Sequence, residues 1–154
     1  HNEIGYNFRL TNIQAALALA QLRRIDELLS YKKWLFNKYD DGLKSIPSLV
    51  LSPSEENVNH TYWITTALIN DYGILKEEFK EILDKNNIDI RPIFYPLSAM
   101  PPFKNYVQKN MDKVNPVTYE LSKYGVCLPN GNNLDDDDVE YICHYFKKAL
   151  GINN

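Results

Sequence analysis

Residues 5–10 place polar side chains among aromatic ones directly before a predicted helix start. Asn7 and Arg9 offer an amide and a guanidinium, and the free N–H groups of a helix N-terminus favour a bound anion. The segment is therefore a candidate anion-binding pocket. A hinge ahead of the helix explains the same residues, and their spacing alone leaves both interpretations open.

A second candidate site lies in residues 91–97. Arg91 supplies a cation, and Phe94 and Tyr95 supply aromatic rings at the mouth of a loop that is stiffened by proline. Loops of this length in compact domains are often functional. The end of an edge strand is the alternative, and the spacing leaves this choice open as well.

Four aspartates at residues 135–138 have the side chain that hard cations prefer. A helix start explains them better, because acidic side chains in a first turn interact favourably with the helix dipole and the outer two fit a capping box. The spacing and glycine of an EF-hand are absent. The histidines His1, His60 and His144 show no paired-ligand spacing either, so we predict no metal site.

Covalent catalysis finds no support in the sequence. Ser98 and Cys127 lack a glycine-flanked elbow or an environment that lowers a pKa, and no glycine-rich phosphate loop is present. The lysines fall on polar helix faces, where the amine stays charged and does not form a Schiff base. These lysines are Lys32, Lys33, Lys80, Lys147 and Lys148. We predict no catalytic residue in this chain.

The elements that position these residues begin with a helix. Thr11 and Gln14 have the spacing of a capping box. Apolar residues then follow a helical period, and Gly42 is placed to cap the end, so we predict one long helix over residues 12–43 with a bend near Ser30. Its alanine-rich first turns are expected to pack closely on another element, or to cause self-association when uncovered.

The rest of the chain alternates strand and helix patterns. Strands are predicted at 48–52, 60–69, 88–94 and 126–129, helices at 76–86, 116–123 and 135–150, and an irregular loop at 95–114. Pro92 makes the third strand an edge strand. The fold class is α+β, a small antiparallel sheet flanked by helices. We predict a single domain over residues 1–154, in which residues 1–43 form a leading segment and a long linking helix.

Composition narrows the possible functions. The 154 residues are 44% hydrophobic and 24% charged, which suits one folded domain, and the net charge of −3 gives no attraction for nucleic acid. No apolar stretch is long enough for a membrane span, and Cys127 and Cys143 make a poor disulfide framework, so we expect a cytoplasmic protein. Because the chain starts at His1 without methionine, we predict the C-terminal piece of a larger enzyme.

Several blocks of the sequence resemble the DegT/DnrJ/EryC1/StrS family of sugar aminotransferases. Residues 5–16 and 20–22 are similar to the segment that follows the catalytic region in that family. Residues 88–97 and 100–103 resemble the small-domain motif of its perosamine-synthase-like branch, and residues 119–129 and the closing helix are similar too. The resemblance covers essentially the whole chain.

The resemblance implies a fold-type I transaminase that depends on pyridoxal phosphate and moves an amino group, commonly from glutamate, onto a nucleotide-linked keto-sugar. In that family the Schiff-base lysine, the residue that stacks on the cofactor ring and the acidic partner of the ring nitrogen lie upstream of the matched stretch. The resemblance therefore implies that the large domain is missing from this chain. It also implies a homodimer with active sites at the subunit interface.

Site residues follow from the same resemblance. Asn7 matches an asparagine that reaches the cofactor phosphate of the partner subunit, and Arg9 is a second residue for that pocket. Arg91, Phe94 and Tyr95 match positions around the nucleotide-sugar side of the pocket.

Two hypotheses follow for this chain. In the first, it is part of a sugar aminotransferase and is inactive alone. In the second, it is a non-catalytic module with the same fold that binds a nucleotide-sugar or mediates dimerisation. Ser98 stands where family members often have histidine, which leaves the sugar open.

Overall fold

A four-stranded antiparallel sheet with the strand order β1-β2-β4-β3 forms the centre of the fold. The structure is a computed structural model that describes residues 2–152, so His1 lies outside the described part. The strands are β1 (Val50–Leu51), β2 (Thr66–Leu68), β3 (Arg91–Pro92) and β4 (Gly125–Cys127). The helices are α1 (Asn12–Leu22), α2 (Ile25–Leu43), α3 (Lys76–Asp84), α4 (Met111–Val114), α5 (Pro116–Tyr124) and α6 (Asp136–Ala149). Short 3₁₀ turns lie at Asn70–Tyr72, Leu97–Ala99 and Pro101–Phe103.

The register of the sheet decides which side chains share a face. Cys127 on β4 pairs with Thr66 on one side and with Arg91 on the other. Because side chains alternate along a strand, these three lie on one face, and the neighbouring row with Pro92 and Val126 lies on the other. The predictions of an antiparallel sheet and of an edge position for β3 are confirmed.

The strands are shorter than the predicted ones. The 60–69 prediction is confirmed only over three residues of β2, and the 88–94 prediction only over two residues of β3. Tyr62 adopts a left-handed conformation with φ of 49°, which turns the chain out of the extended path before β2 begins. Pro92 is the last residue of β3, although the N–H of Ile93 still donates to the carbonyl of Gly125 on β4 at 3.0 Å.

Three helices, α2, α3 and α6, bury their apolar faces against the sheet. Phe79 of α3 meets Phe146 of α6 edge to face, with ring centroids 4.9 Å apart, and both side chains are fully buried. Each such side chain contributes about 1.5–3 kcal/mol to folding through the area it removes from water. Tyr39 of α2 is also buried, and its hydroxyl donates to the carbonyl of Pro129 at 2.8 Å. The core therefore fixes the loop after β4 relative to α2.

Gly42 does not cap a helix, contrary to the prediction. It lies inside α2, which ends at Leu43, and faces α6. A Cβ atom at this position would stand 2.6 Å from the sulfur of Cys143. The glycine therefore serves the close approach of two helices rather than a change of chain direction.

The predicted single helix over 12–43 is wrong, because α1 and α2 are separated at Arg23 and Arg24. Arg24 leaves the helical conformation with φ of −119° and ψ of 26°, so no bend at Ser30 is needed. The capping box of Thr11 and Gln14 is confirmed. None of the residues of α1 is buried, so its predicted close packing has no partner within residues 2–152.

The other helix predictions are confirmed to within a few residues. The loop at 95–114 contains two 3₁₀ turns and the short α4. Cys127 and Cys143 are free thiols, with Cys143 buried under α2. Over residues 2–152, none of the helices combines the length and the apolar character that crossing a bilayer requires.

Candidate functional site

The residues of the first predicted site lie in an exposed segment, residues 7–14, that leads into α1. The side-chain oxygen of Asn7 accepts a hydrogen bond from the backbone N–H of Arg9 at 2.9 Å, and Arg9 has a positive φ of 68°. Asn7 and Arg9 line a cavity of about 640 Å³ together with Leu10 and Gln14. The bond to Arg9 occupies the oxygen of Asn7 and leaves its N–H₂ group as a donor. The cavity therefore presents an amide donor and a guanidinium to an anion.

The second predicted site is divided between the two faces of the sheet. Arg91 lines an open groove of about 680 Å³ beside Cys127. Tyr95 lines a different and smaller cavity of about 190 Å³ with Pro92 and Val126. Phe94 is 80% exposed and lines neither of these two cavities. The structure therefore does not bring Arg91, Phe94 and Tyr95 together into one pocket.

The groove beside Arg91, which we call the Arg91 groove, is defined by its lining residues. They are Lys32, Trp63, Ile64, Asp89, Arg91, Cys127, Leu128, Pro129, Asn130, Gly131 and Asn132. Burial raises the pKa of Cys127, and the charge of Arg91 opposes that shift. The thiol is therefore protonated at neutral pH.

One wall of the Arg91 groove is held by the amide of Asn130. Its N–H₂ group donates to the carbonyls of Tyr62 and Trp63, and its backbone carbonyl accepts a hydrogen bond from the amine of Lys32. The side-chain oxygen of Asn130 is buried and has no partner among residues 2–152. Tyr31 fixes the same loop from α2, because its hydroxyl donates to the carbonyl of Leu134 at 2.7 Å.

Lys32 was predicted to lie on a solvated helix face, but it is only partly exposed. Its amine points into the loop after β4, where it donates to the carbonyl of Asn130. Burial lowers the pKa of Lys32 for that reason. Helical periodicity does not reveal such contacts, because it describes one helix and not the loop that folds over it.

No sequence pattern predicted that Lys76 is buried. It is the first residue of α3, and its side chain is only 7% exposed. Its amine donates to the carbonyl of Ser122 at the C-terminal end of α5 and lies 4.3 Å from the centre of the Tyr95 ring. A lysine at the start of an amphipathic helix gives no sequence signal for burial, since most such lysines face water.

Ser98 and the aspartate run have structural partners. The hydroxyls of Ser98 and Tyr119 lie 3.0 Å apart and share a hydrogen bond, which joins the 95–114 loop to α5. Asp135 and Asp138 form the predicted capping box at the start of α6. Within residues 2–152, no group of three or more histidine, cysteine, aspartate or glutamate side chains is arranged to hold a metal ion.

Comparison with known proteins gives a family match over residues 1–147, to the DegT/DnrJ/EryC1/StrS aminotransferase family. The chain is 38% identical over 144 residues to GDP-perosamine synthase of Escherichia coli O157:H7, covering 93% of this chain and 37% of that protein. It is 30% identical over 148 residues to GDP-perosamine synthase of Vibrio cholerae, covering 96% of this chain and 39% of that protein. The chain thus spans less than two-fifths of the length of these curated relatives.

Solved structures share the fold. A protein assigned as a sugar aminotransferase, Spr1654 of Streptococcus pneumoniae in its PLP form, superposes with a TM-score of 0.79 at 26% identity, covering 93% of this chain and 36% of that one. PseC of Helicobacter pylori, an aminotransferase of pseudaminic acid biosynthesis, gives a TM-score of 0.75 at 22% identity over 97% of this chain and 40% of that one. The second likeness concerns the fold alone.

Proposed function

Because the chain belongs to the DegT/DnrJ/EryC1/StrS aminotransferase family, we propose that it is part of an enzyme that transfers an amino group to a nucleotide-linked keto-sugar. The observation that carries this proposal is the family match along almost the whole chain, with sugar aminotransferases among its relatives. Glutamate is the proposed amino donor, a homodimer the proposed assembly, and the cytoplasm the proposed location. The products would serve polysaccharide or glycan biosynthesis.

The aminotransferases of this family use pyridoxal phosphate. The donors around Asn7 suit the phosphate of that cofactor, because an amide N–H₂ and the guanidinium of Arg9 are both hydrogen-bond donors and one of them is cationic. When bound, the cofactor supplies an electron sink for the carbon that exchanges its amino group. We propose that Asn7 and Arg9 hold the phosphate from across a subunit interface.

The lysine that binds the cofactor covalently is proposed to lie outside this chain. Lys76 is a buried lysine among residues 2–152, but its amine is bonded to Ser122 and rests on the ring of Tyr95. The adjoining cavity of about 190 Å³ is smaller than typical ligand pockets, which begin near about 300 Å³. The fold-type I architecture of the intact enzyme and the C-terminal position of this chain belong to the same proposal.

On the substrate side, Arg91 is proposed to pair with the diphosphate of the nucleotide-sugar. Phe94 and Tyr95 are proposed to border the sugar in the intact enzyme, with Tyr95 oriented by Lys76. A guanidinium matches a phosphate with two parallel hydrogen bonds, which favours arginine for this role.

The proposal is tested on the full-length protein that contains this chain. We expect amino transfer from glutamate to a nucleotide-linked 4-keto-sugar, and the assay measures the 2-oxoglutarate that glutamate leaves behind. Asn7→Ala is expected to weaken the binding of pyridoxal phosphate about tenfold, because a hydrogen bond to a charged group is lost. Asn37→Ala, an exposed amide on α2, is the matched control. Absence of amino transfer in the wild type would contradict the proposal.

A non-catalytic nucleotide-sugar module is the second candidate, and the Arg91 groove favours it because the groove is built entirely from this chain. Reduction of the isolated chain with borohydride in the presence of pyridoxal phosphate, followed by mass spectrometry, tests for a cofactor-bearing lysine. We expect no specific adduct. Full-length protein that binds nucleotide-sugar and never transaminates would favour the module.

A further inference from the structure

Trp63 is an exposed indole on the wall of the Arg91 groove. Trp63 is 68% exposed, although tryptophan has a large apolar side chain that proteins usually bury. No aromatic ring contact is made by Trp63 within residues 2–152. The groove thus contains a flat aromatic surface that the fold of this chain does not use.

The backbone that presents this indole is held in an unusual shape. Tyr62 has a φ of 49°, which is rare for an aromatic residue and costs energy. Its N–H donates to Nδ1 of His60 at 2.8 Å, and its ring stacks on Phe36 with centroids 4.0 Å apart. The amide of Asn130 then holds the carbonyls on both sides of the Tyr62–Trp63 peptide junction. These four contacts therefore hold a strained turn in place, and the turn sets the position of Trp63.

The charges of the same groove leave Arg91 available. Lys32 donates its amine to Asn130, and Asp89 is bound to Lys80 at 3.0 Å. Arg91 forms no ion pair within residues 2–152. A groove with an unpaired guanidinium and an exposed indole suits a ligand that is anionic at one part and flat at another, and its volume of about 680 Å³ lies in the range of small-ligand sites.

We infer that the Arg91 groove is a nucleoside-diphosphate subsite in which the indole of Trp63 stacks on the base and Arg91 binds the diphosphate. The choice of a nucleotide rests on the proposed function, and the assignment of Trp63 goes beyond it. In the alternative, another part of the intact protein covers the indole of Trp63. The experiment distinguishes that cover from nucleotide binding.

The experiment measures the affinity of the full-length protein for GDP, UDP, dTDP and inorganic pyrophosphate by calorimetry. Trp63→Ala is expected to weaken the best-bound nucleoside diphosphate about tenfold, because base stacking is lost, and to leave pyrophosphate binding unchanged. Trp63→Phe should retain most of the affinity. Arg91→Ala should weaken nucleotide and pyrophosphate alike. Tyr106→Ala removes another ring that is 81% exposed and should change neither.

Three results would overturn the inference: no nucleoside diphosphate binding by the wild type, equal nucleotide affinity of Trp63→Ala and Tyr106→Ala, or an equal loss of pyrophosphate affinity in Trp63→Ala. Thermal unfolding of each variant shows whether the fold is retained, and Trp63→Leu, which keeps apolar bulk but has no ring to stack on a base, carries the test if Trp63→Ala unfolds. Amino transfer is assayed in the wild type separately. Transamination with Trp63-independent nucleotide binding rejects the subsite alone, whereas Trp63-dependent binding without transamination rejects the proposed enzyme function alone.

Discussion

Lys76 is a buried lysine whose amine caps a helix. It donates to the carbonyl of Ser122, one of the last carbonyls of α5, which has no partner within its own helix. Lys76→Met keeps most of the aliphatic stem and removes the amine, so the buried carbonyl loses its donor. The free energy of unfolding should fall by about 1–3 kcal/mol in urea denaturation. Lys33→Met, at an exposed position of α2, should stay within about 0.5 kcal/mol of the wild type, and equal stability of the two variants would contradict this assignment.

Cys143 makes the stability depend on pH in the alkaline range. Burial raises the pKa of its thiol from 9.0 to about 11. Below pH 9 the thiol is protonated in both states, whereas above it the unfolded chain releases a proton that the folded chain retains. Stability should therefore fall by about 2–3 kcal/mol between pH 9 and 11, at about 1.4 kcal/mol per unit of pKa difference. Urea denaturation across this range should give a flatter profile for Cys143→Ala than for the wild type, and identical slopes would contradict the prediction.

Residue types alone predicted some of these roles and missed others. Asp135 and Asp138 were recognisable as a capping box, because that motif depends on residues three apart in sequence. The contacts of Lys32 and Lys76 were not recognisable, since the amine of Lys32 is satisfied by a carbonyl about a hundred positions away and that of Lys76 by one about fifty positions away. Local patterns report local contacts, and these two lysines are satisfied by distant ones.

At the scale of elements, the contact between α2 and α6 depends on the absence of a side chain at Gly42. Gly42→Ala would place a Cβ atom 2.6 Å from the sulfur of Cys143, so the helices must move apart. Overpacking of this kind should lower the free energy of unfolding by about 1–3 kcal/mol. Gly5→Ala, where no atom lies within 4 Å, is the control and should have no such effect. In a Cys143→Ala background the cost of Gly42→Ala should shrink, and an unchanged cost would show that the sulfur is not the obstacle.

The start of α1 was predictable from its capping box, whereas the break between α1 and α2, where no side chain caps the helix, was missed. Thr11 and Gln14 set the start of α1 as predicted. The break at Arg23 and Arg24 carries no proline or glycine, and the apolar period continues across it, so the sequence indicated one helix. Strand lengths were overestimated for a related reason, because a β-branched run does not reveal the left-handed turn at Tyr62.

At the scale of the whole molecule, the predicted site residues fall in three places. Asn7 and Arg9 lie ahead of α1, Arg91 lies in its groove, and Tyr95 lies in the small cavity under Lys76. The sequence suggested that residues 91–97 form one pocket because they are adjacent, but β3 ends at Pro92, and the chain beyond it carries Tyr95 to a different cavity from that of Arg91. Under the proposed function, the residues of this chain act in separate parts of a site that other polypeptide completes.

The exposed surface of α1 also indicates that another polypeptide completes this part of the molecule. Its residues are apolar on every side apart from Asn12, Gln14 and Gln21, and all of them are exposed. A helix that is hydrophobic all round is normally buried, so α1 requires cover by another polypeptide surface. We therefore expect the isolated chain of residues 1–154 to self-associate through α1.

The double substitution Ile13→Glu and Leu17→Glu tests this expectation, because the two side chains are 76% and 65% exposed and lie one turn apart. Like charges on this stripe should repel between copies, so sedimentation velocity should show a shift toward monomer that weakens at high salt. Val117→Glu, at a position on α5 that is 67% exposed, introduces one negative charge outside α1 and should leave association unchanged. A wild-type chain that stays monomeric at every concentration would show that exposed α1 is tolerated in water, and an equal effect of Val117→Glu would assign the association to net charge rather than to this helix.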